Sequence, residues 1–228
     1  MLNTPLATEN IYHIFSKSIA GFKIFNYDSE FKRAQQAIRY YRRKNPKIKL
    51  SAYITSTQKE IREDKKRNLN FDLSNKERLV GIIAYCIMPT HIHLVLRQDQ
   101  DSGITIFMRN VLNSYTKYFN TKYKRKGPLW EARFKRVLIK TDEQLLHLTR
   151  YVHLNPVTAY LTNKPDKWLF SSYNEYLGNV ADNCRICNYN DILNIVPEIY
   201  EKFTNENIDY QRKLASIKNL TFDQYSTP

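Results

Sequence analysis

Between Ile11 and Ile19, Ile11, His13 and Phe15 alternate with Tyr12 and Ile14, and this period of two predicts a first strand. From Asp28 to Arg43 the period changes. Phe31, Ala34, Ile38 and Tyr41 recur at helical spacing, and Pro46 lies just past the predicted end. Lys47 to Asn75 loses the pattern and reads as a polar, basic, irregular insertion. The continuous apolar run Leu79 to Met88 predicts a strand buried on both faces. Pro89-Thr90 reads as a turn and His91 to Arg97 as a returning strand, so the pair forms a hairpin. Ile104, Met108, Val111, Tyr115 and Phe119 make the apolar stripe of a helix from Ser102 to about Lys122. Arg125-Lys126-Gly127-Pro128 breaks the chain, and Phe134 to Lys140 reads as another strand. Thr141 opens a helix with the capping-box spacing Thr141-x-x-Gln144, and Asp142 and Glu143 suit its positive end. Asn155-Pro156 is expected to end that helix, because a residue before proline is pushed out of the helical region. Short helices are predicted over Tyr189 to Val196 and Glu198 to Leu214. The order β, α, β, β, α, β, α predicts an α+β fold with helices on an antiparallel sheet.

Composition narrows the function classes. The chain has 228 residues, of which 42% are hydrophobic, enough for a sizeable core and incompatible with a wholly disordered protein. That length fits one large domain or one domain with additions. The formal charge is +14, from 36 Lys and Arg against 22 Asp and Glu. It is unevenly placed: Glu30 to Arg67 carries 13 basic and 4 acidic residues, and Arg109 to Lys140 carries 10 and 1. Glu175 to Pro228 carries 5 basic and 8 acidic residues, so the last quarter is mildly acidic. Such a distribution points to a polyanionic partner, nucleic acid first and an anionic membrane surface second. The longest apolar stretch, Leu79 to Pro89, is far short of the ~18–20 residues that span a bilayer. The first ten residues lack the basic and apolar regions of a signal peptide, so a soluble intracellular protein is expected. Cys86 reads as a small buried residue. Cys184 and Cys187 form one C-x-x-C with no second pair or nearby His, and read as an exposed loop pair rather than a zinc site.

Two clusters carry candidate chemistry. On a strand, His91 and His93 share one face while Ile92, Leu94 and Leu96 share the other. Two imidazoles so spaced can hold one divalent metal, although H-x-H by itself also occurs as a structural pair. On the helix after Thr141, Tyr151 and Asn155 are four apart and share a face, with His147 one turn back. Taken singly, Tyr151 also reads as a packed ring whose hydroxyl meets water. Tyr115 and Tyr118 compete as nucleophiles, but Tyr115 lies on the apolar stripe and Tyr118 has Lys122 where Tyr151 has Asn155. Histidine pair, tyrosine and basic surface together make the parts of a metal-assisted attack on a phosphodiester. The metal neutralises the phosphate, and the phenol, with an ordinary pKa of about 10, becomes a nucleophile once deprotonated.

Three segments carry a family resemblance: Tyr85-Cys-Ile-Met-Pro-Thr-His-Ile-His-Leu-Val-Leu96, Gly127-Pro-Leu-Trp-Glu-Ala-Arg-Phe-Lys135 and Arg150-Tyr-Val-His-Leu-Asn-Pro-Val157. With Trp168 and Ser171-Ser172-Tyr173, the chain from Ile11 to Gly178 resembles the HUH-type single-tyrosine transposases, REP-associated tyrosine transposases above all. The resemblance implies a ferredoxin-like sheet with both histidines on a central strand. It implies Mg²⁺ or Mn²⁺ held by His91, His93 and Asn155, with Tyr151 as nucleophile. It implies cleavage and rejoining of single-stranded DNA near a hairpin, through a 5′-phosphotyrosine. A catalytic domain over residues 1–178, with the basic insertion 47–75, would then be followed by a helical extension over 179–228 that the shared pattern does not include. It also implies a prokaryotic cytoplasmic protein associated with the nucleoid, acting as a homodimer or as a monomer, without a membrane.

Lys124, Arg125 and Lys126 before the Gly-Pro break, and Arg133, Lys135 and Arg136 after it, are the expected DNA contacts. Trp130 is a stacking candidate for an unpaired base, or a core residue. Two other readings stay open: a binding protein of the same fold without chemistry, and a metal-dependent nuclease that uses water.

Overall fold

The computed structural model describes residues 5–46, 48–62 and 78–223. Four strands, β1 (Ile11–Lys17), β2 (Val80–Met88), β3 (His91–Gln98) and β4 (Lys135–Ile139), form one antiparallel sheet in the order β2-β3-β1-β4. The sequence β-α-β-β-α-β in that spatial order is the ferredoxin-like arrangement. Its crossover helices, α1 (Asp28–Tyr41) and α3 (Gly103–Lys122), pack on each other on one face, as right-handed crossovers require. The opposite face carries α4 (Asp142–Thr158), which packs on β2 and β3. Both faces are therefore covered, and β2 is buried along its whole length. The backbone from Phe170 to Ser172 runs beside β2, with Ile87 N–H donating to Phe170 O and Ser172 N–H to Tyr85 O, and leads into the short helix α5 (Tyr173–Tyr176).

Several local expectations need correction. Part of the predicted irregular insertion is helix α2, Leu50–Arg62. Leu50 is buried and the Tyr53 ring lies 4.9 Å from that of Tyr40, tilted by 33°, so a short apolar edge anchors a largely polar helix. The stretch 63–77, which holds the remainder of that insertion, lies outside the described residues. Tyr189 to Val196 is a turn followed by extended chain. Tyr189 O closes the turn by accepting from Ile192 and Leu193 N–H, and Pro197 keeps Val196 extended. The single helix expected from Glu198 to Leu214 is two, α6 (Pro197–Asn205) and α7 (Ile208–Asp223), with Asn207 Nδ2 donating to Phe203 O at the break. Cys187 is buried while Cys184 is exposed, so the two cysteines are not an exposed pair.

The C-terminal helices are tied to α4 through a buried polar chain. His153 is fully buried, with its Nδ1 2.7 Å from Tyr200 Oη on α6 and its Nε2 2.7 Å from Ser172 Oγ. Tyr200 in turn donates to Thr149 Oγ1 at 3.1 Å. Burial lowers the His153 pKa to about 3. The unfolded chain takes up a proton there near pH 6.5 and the folded chain does so only near pH 3, so stability falls as pH drops between those values. The slope is about 1.4 kcal/mol per pH unit for this one group. His153→Gln keeps two hydrogen-bonding atoms and removes the titration. Urea midpoints at pH 7, 6 and 5 should show a shallower acid loss in that variant, and an unchanged slope would contradict the assignment.

Candidate functional site

The site forms where α4 crosses the sheet. On β3, alternation sends His91 and His93 to the α4 face and Ile92, Leu94 and Leu96 to the α1–α3 face. In the register of β1 with β3, Phe15 lies opposite His93, Lys17 opposite His91 and His13 opposite Val95. Directly opposed residues share a face, so His13, Phe15 and Lys17 join the two histidines. The His91 and His93 rings are 4.9 Å apart and nearly perpendicular, and His13 stacks on His93 at 5.2 Å. Tyr151 on α4 meets this group edge-on, its ring 5.9 Å from His93 and 6.2 Å from His13.

The three imidazoles are neutral at physiological pH. Burial holds His13 and His91 down to about 4, with Lys17 adding to the effect at His91. Burial first, then the neighbouring histidines and Lys17, holds His93 well below its ordinary value. Neutral imidazole is the metal-ligating form. Nδ1 of each of the paired histidines is engaged, at 2.8 Å from Thr90 Oγ1 for His91 and 3.0 Å from His13 Nε2 for His93. Each is left with Nε2 to offer. Burial pushes the Tyr151 phenol above its usual pKa, so the hydroxyl keeps its proton until a cation or base lowers it.

Asn155 explains why α4 does not stop where proline predicts. Pro156 lies inside the helix, which runs on to Thr158. Pro156 has no N–H for Val152 O. Asn155 Nδ2 reaches that carbonyl at 3.4 Å and Tyr151 O at 2.9 Å, which offsets the missing donor. With its amide nitrogen so occupied, Asn155 keeps Oδ1 for other use. Thr141 caps the helix start by accepting from Gln144 N–H, while Gln144 Oε1 accepts from Lys140 N–H rather than from Thr141. His147 stays away from the site, beside Glu143 and Phe203. Tyr115 is buried with its hydroxyl on Ile24 O, and Tyr118 lies under Arg33 of α1, across the sheet from the histidines.

The expected DNA contacts are spread over several surfaces. Lys135 lies opposite Phe15, on the histidine face, and Arg136 lies on the other face opposite Ile14. Arg125 braces its loop, donating to Asn120 Oδ1 and Pro128 O. Lys124 and Lys126 are exposed on that loop. Trp130 is half-buried against Phe25 and Tyr115, and its indole N–H points inward toward Leu112 O and Thr116 Oγ1. Its ring is therefore a wedge between α3 and the loop rather than a free platform. One wall of a cavity of about 510 Å³ is formed by Arg109 and Asn113 of α3, and the other by Pro128, Trp130, Arg133 and Phe134. Sequence reasoning missed Arg109, Lys17 and His13. Strand alternation hinted at the last two, but only the β1–β3 register brings them beside His91 and His93.

Among the described residues, no three His, Cys, Asp or Glu side chains converge on a metal-sized point. A metal would therefore draw on His91, His93 and an amide oxygen such as that of Asn155, a donor set that accepts Mg²⁺ or Mn²⁺. Among the described residues, no helix is long and apolar enough to cross a membrane.

Residues 52–155 match the family model of IS200-like transposases. That stretch holds the histidine pair and ends on Asn155. A Haemophilus influenzae protein named among the REP-associated tyrosine transposases is 29% identical over 102 residues, 40% of this chain and 57% of its own length. The chain thus matches little more than half the length of that relative. A solved structure of a REP-associated tyrosine transposase bound to a REP hairpin shares the fold, with a TM-score of 0.50 and 12% identity. The superposition covers 86% of this chain and 98% of that one. All three likenesses are to transposases.

Proposed function

We propose that the chain cleaves and rejoins single-stranded DNA beside a hairpin, with Tyr151 as the nucleophile. The observation that carries this reading is the edge-on approach of Tyr151 to His93, at 5.9 Å between ring centres, on the sheet face that His91 shares. The Tyr151 oxygen attacks the phosphorus, the bond from phosphorus to the 3′ oxygen breaks, and a 5′-phosphotyrosine and a free 3′-hydroxyl result. The phenolic proton leaves Tyr151 and the 3′ oxygen gains one. Reversal by a 3′-hydroxyl rejoins DNA without an external energy source.

Bound by His91, His93 and Asn155, a divalent metal would polarise the scissile phosphate and favour the phenolate. The chain's own groups supply the rest. Lys17 places a positive charge opposite His91, where it meets a phosphate's charge. The His153–Tyr200 bond and the bonds from Gln211 Nε2 to Tyr151 O and Thr158 Oγ1 hold α4 in place over the sheet. Those contacts come from the C-terminal helices, which gives the extension a supporting part in the same site.

The likeness to a hairpin-bound relative supports hairpin DNA as the ligand. We assign the groove between α3 and residues 128–134 to the DNA path, because Arg109 and Arg133 line it. Each neutralised phosphate of single-stranded DNA contributes about −0.7 to the slope of log affinity against log salt. Arg109→Ala and Arg133→Ala should each weaken binding and make that slope shallower by about 0.7 in a fluorescence-anisotropy titration. Unchanged slopes in both variants would take the DNA path off this groove. The function itself is tested by a denaturing gel of the protein with hairpin-bearing single-stranded DNA and Mn²⁺. A covalent protein–DNA band supports it. Cleavage without a band supports a water nucleophile, and binding without cleavage supports a silent binder.

A further inference from the structure

His13 lies outside the matched family segment, and none of the steps above uses it. It is nonetheless the residue whose ring nitrogen meets His93. Its Nε2 is 3.0 Å from His93 Nδ1, and the two rings stack at 5.2 Å with planes 19° apart. Thr90 Oγ1 stands in the same relation to His91, 2.8 Å from Nδ1. Both members of the pair therefore have the same nitrogen engaged by a neighbour.

A neutral imidazole carries one ring proton, so one nitrogen donates and the other has a lone pair. A hydrogen bond between two neutral imidazoles has one donor. If His13 donates, His93 holds its proton on Nε2 and has no lone pair facing outward. If His93 donates from Nδ1, its Nε2 is free to bind a metal. His13 cannot reach the same metal through Nε2, because that atom is already committed to His93.

We propose that His13 is a positioning residue that fixes His93 as the Nδ1–H tautomer and aims its Nε2 at the metal, with Thr90 doing the same for His91. The inference rests on the metal-assisted reading above and assigns it an outer layer: β1 orients one ligand of β3, and the hairpin turn orients the other. Removing such a partner from a metal-binding histidine typically costs 10–100-fold in affinity.

The test is Mn²⁺ binding by calorimetry to the full chain, with no DNA present, for the wild type and for His13→Phe, His13→Gln and His93→Ala. His13→Phe keeps a stacking ring and loses the acceptor. His13→Gln keeps an acceptor oxygen. The expected result is Mn²⁺ affinity weakened 10–100-fold in His13→Phe, substantially restored in His13→Gln and abolished in His93→Ala. Long-range proton–nitrogen NMR of the metal-free protein should show His93 as the Nδ1–H tautomer in the wild type and a shift toward Nε2–H in His13→Phe. Wild-type binding with no loss in His13→Phe, or a His93 tautomer that ignores the substitution, overturns the role of His13 and leaves the metal reading standing. No Mn²⁺ binding by the wild type overturns the metal reading and this inference with it. Pulsed EPR that counts three directly bound imidazoles instead of two would make His13 a ligand and would also overturn it.

Discussion

Tyr151→Phe should abolish the covalent protein–DNA band while leaving hairpin affinity within about twofold of wild type. The change removes one oxygen from a ring that keeps its edge-on contacts with His93 and His13. Among the described residues, no side-chain hydrogen bond from that oxygen supports the fold, and the bonds near Tyr151 run to its backbone carbonyl. Loss of the nucleophile removes the covalent path altogether, so the expected loss of adduct exceeds the roughly 10²–10⁴-fold typical of a missing acid–base group. Partial burial raises the phenol's pKa, so adduct formation should also increase as pH rises from 6 to 8 with metal present. An adduct that persists in Tyr151→Phe and disappears in Tyr118→Phe would move the nucleophile to α3. That outcome would require a metal on the opposite side of the sheet from His91 and His93.

Gly103→Ala should be the most damaging single change to stability for its size. Gly103 is buried at the first turn of α3, and a Cβ there would lie 2.1 Å from the backbone carbonyl oxygen of Leu79. That oxygen already accepts from Asp99 N–H, where the chain leaves β3, and Leu79 N–H donates to Arg42 O beyond α1. A backbone atom so held has no rotamer through which to move away, so α3 must shift relative to β2. We expect a loss of about 3–4 kcal/mol or more, within the range for overpacking combined with a lost backbone contact. Gly127, which among the described residues has nothing within 4 Å of an added Cβ, is the control for space, although its left-handed φ of +94° adds strain of its own. Urea denaturation of both variants separates the two effects. A Gly103→Ala protein as stable as wild type would show that the α3–β2 approach is looser than described.

The extension after Gly178 is more than an appendage. Asn188 N–H donates to Ile82 O, Arg42 Nη1 to Ile186 O, and Glu175 accepts from the N–H groups of Ile186 and Cys187. Tyr200 and Gln211 then reach α4 itself. Helix α4 is therefore held by β2 and β3 on one side and by the C-terminal helices α6 and α7 on the other.

Much of this was legible in the chain because it is local. Alternation predicted β1 and the shared face of His91 and His93, and a continuous apolar run followed by the Pro89-Thr90 turn predicted the β2–β3 hairpin. A period of 3.6 predicted α1, α3 and the common side of Tyr151 and Asn155. Local rules misled where a side chain outside their scope changed the balance. Pro156 was expected to end α4, but the amide of Asn155 bonds the orphaned carbonyl and packing carries the helix on to Thr158. The polar stretch after Pro46 was expected to be irregular, but Leu50 and Tyr53 anchor it as a helix. What the tertiary structure alone decided is which distant residues share the site. His13 is 80 positions from His93 and Lys17 is 74 from His91, and strand register, not spacing, brings each beside its partner. Periodicity names the face a side chain takes on its own element. Only the packing of one element on another says what stands across from it.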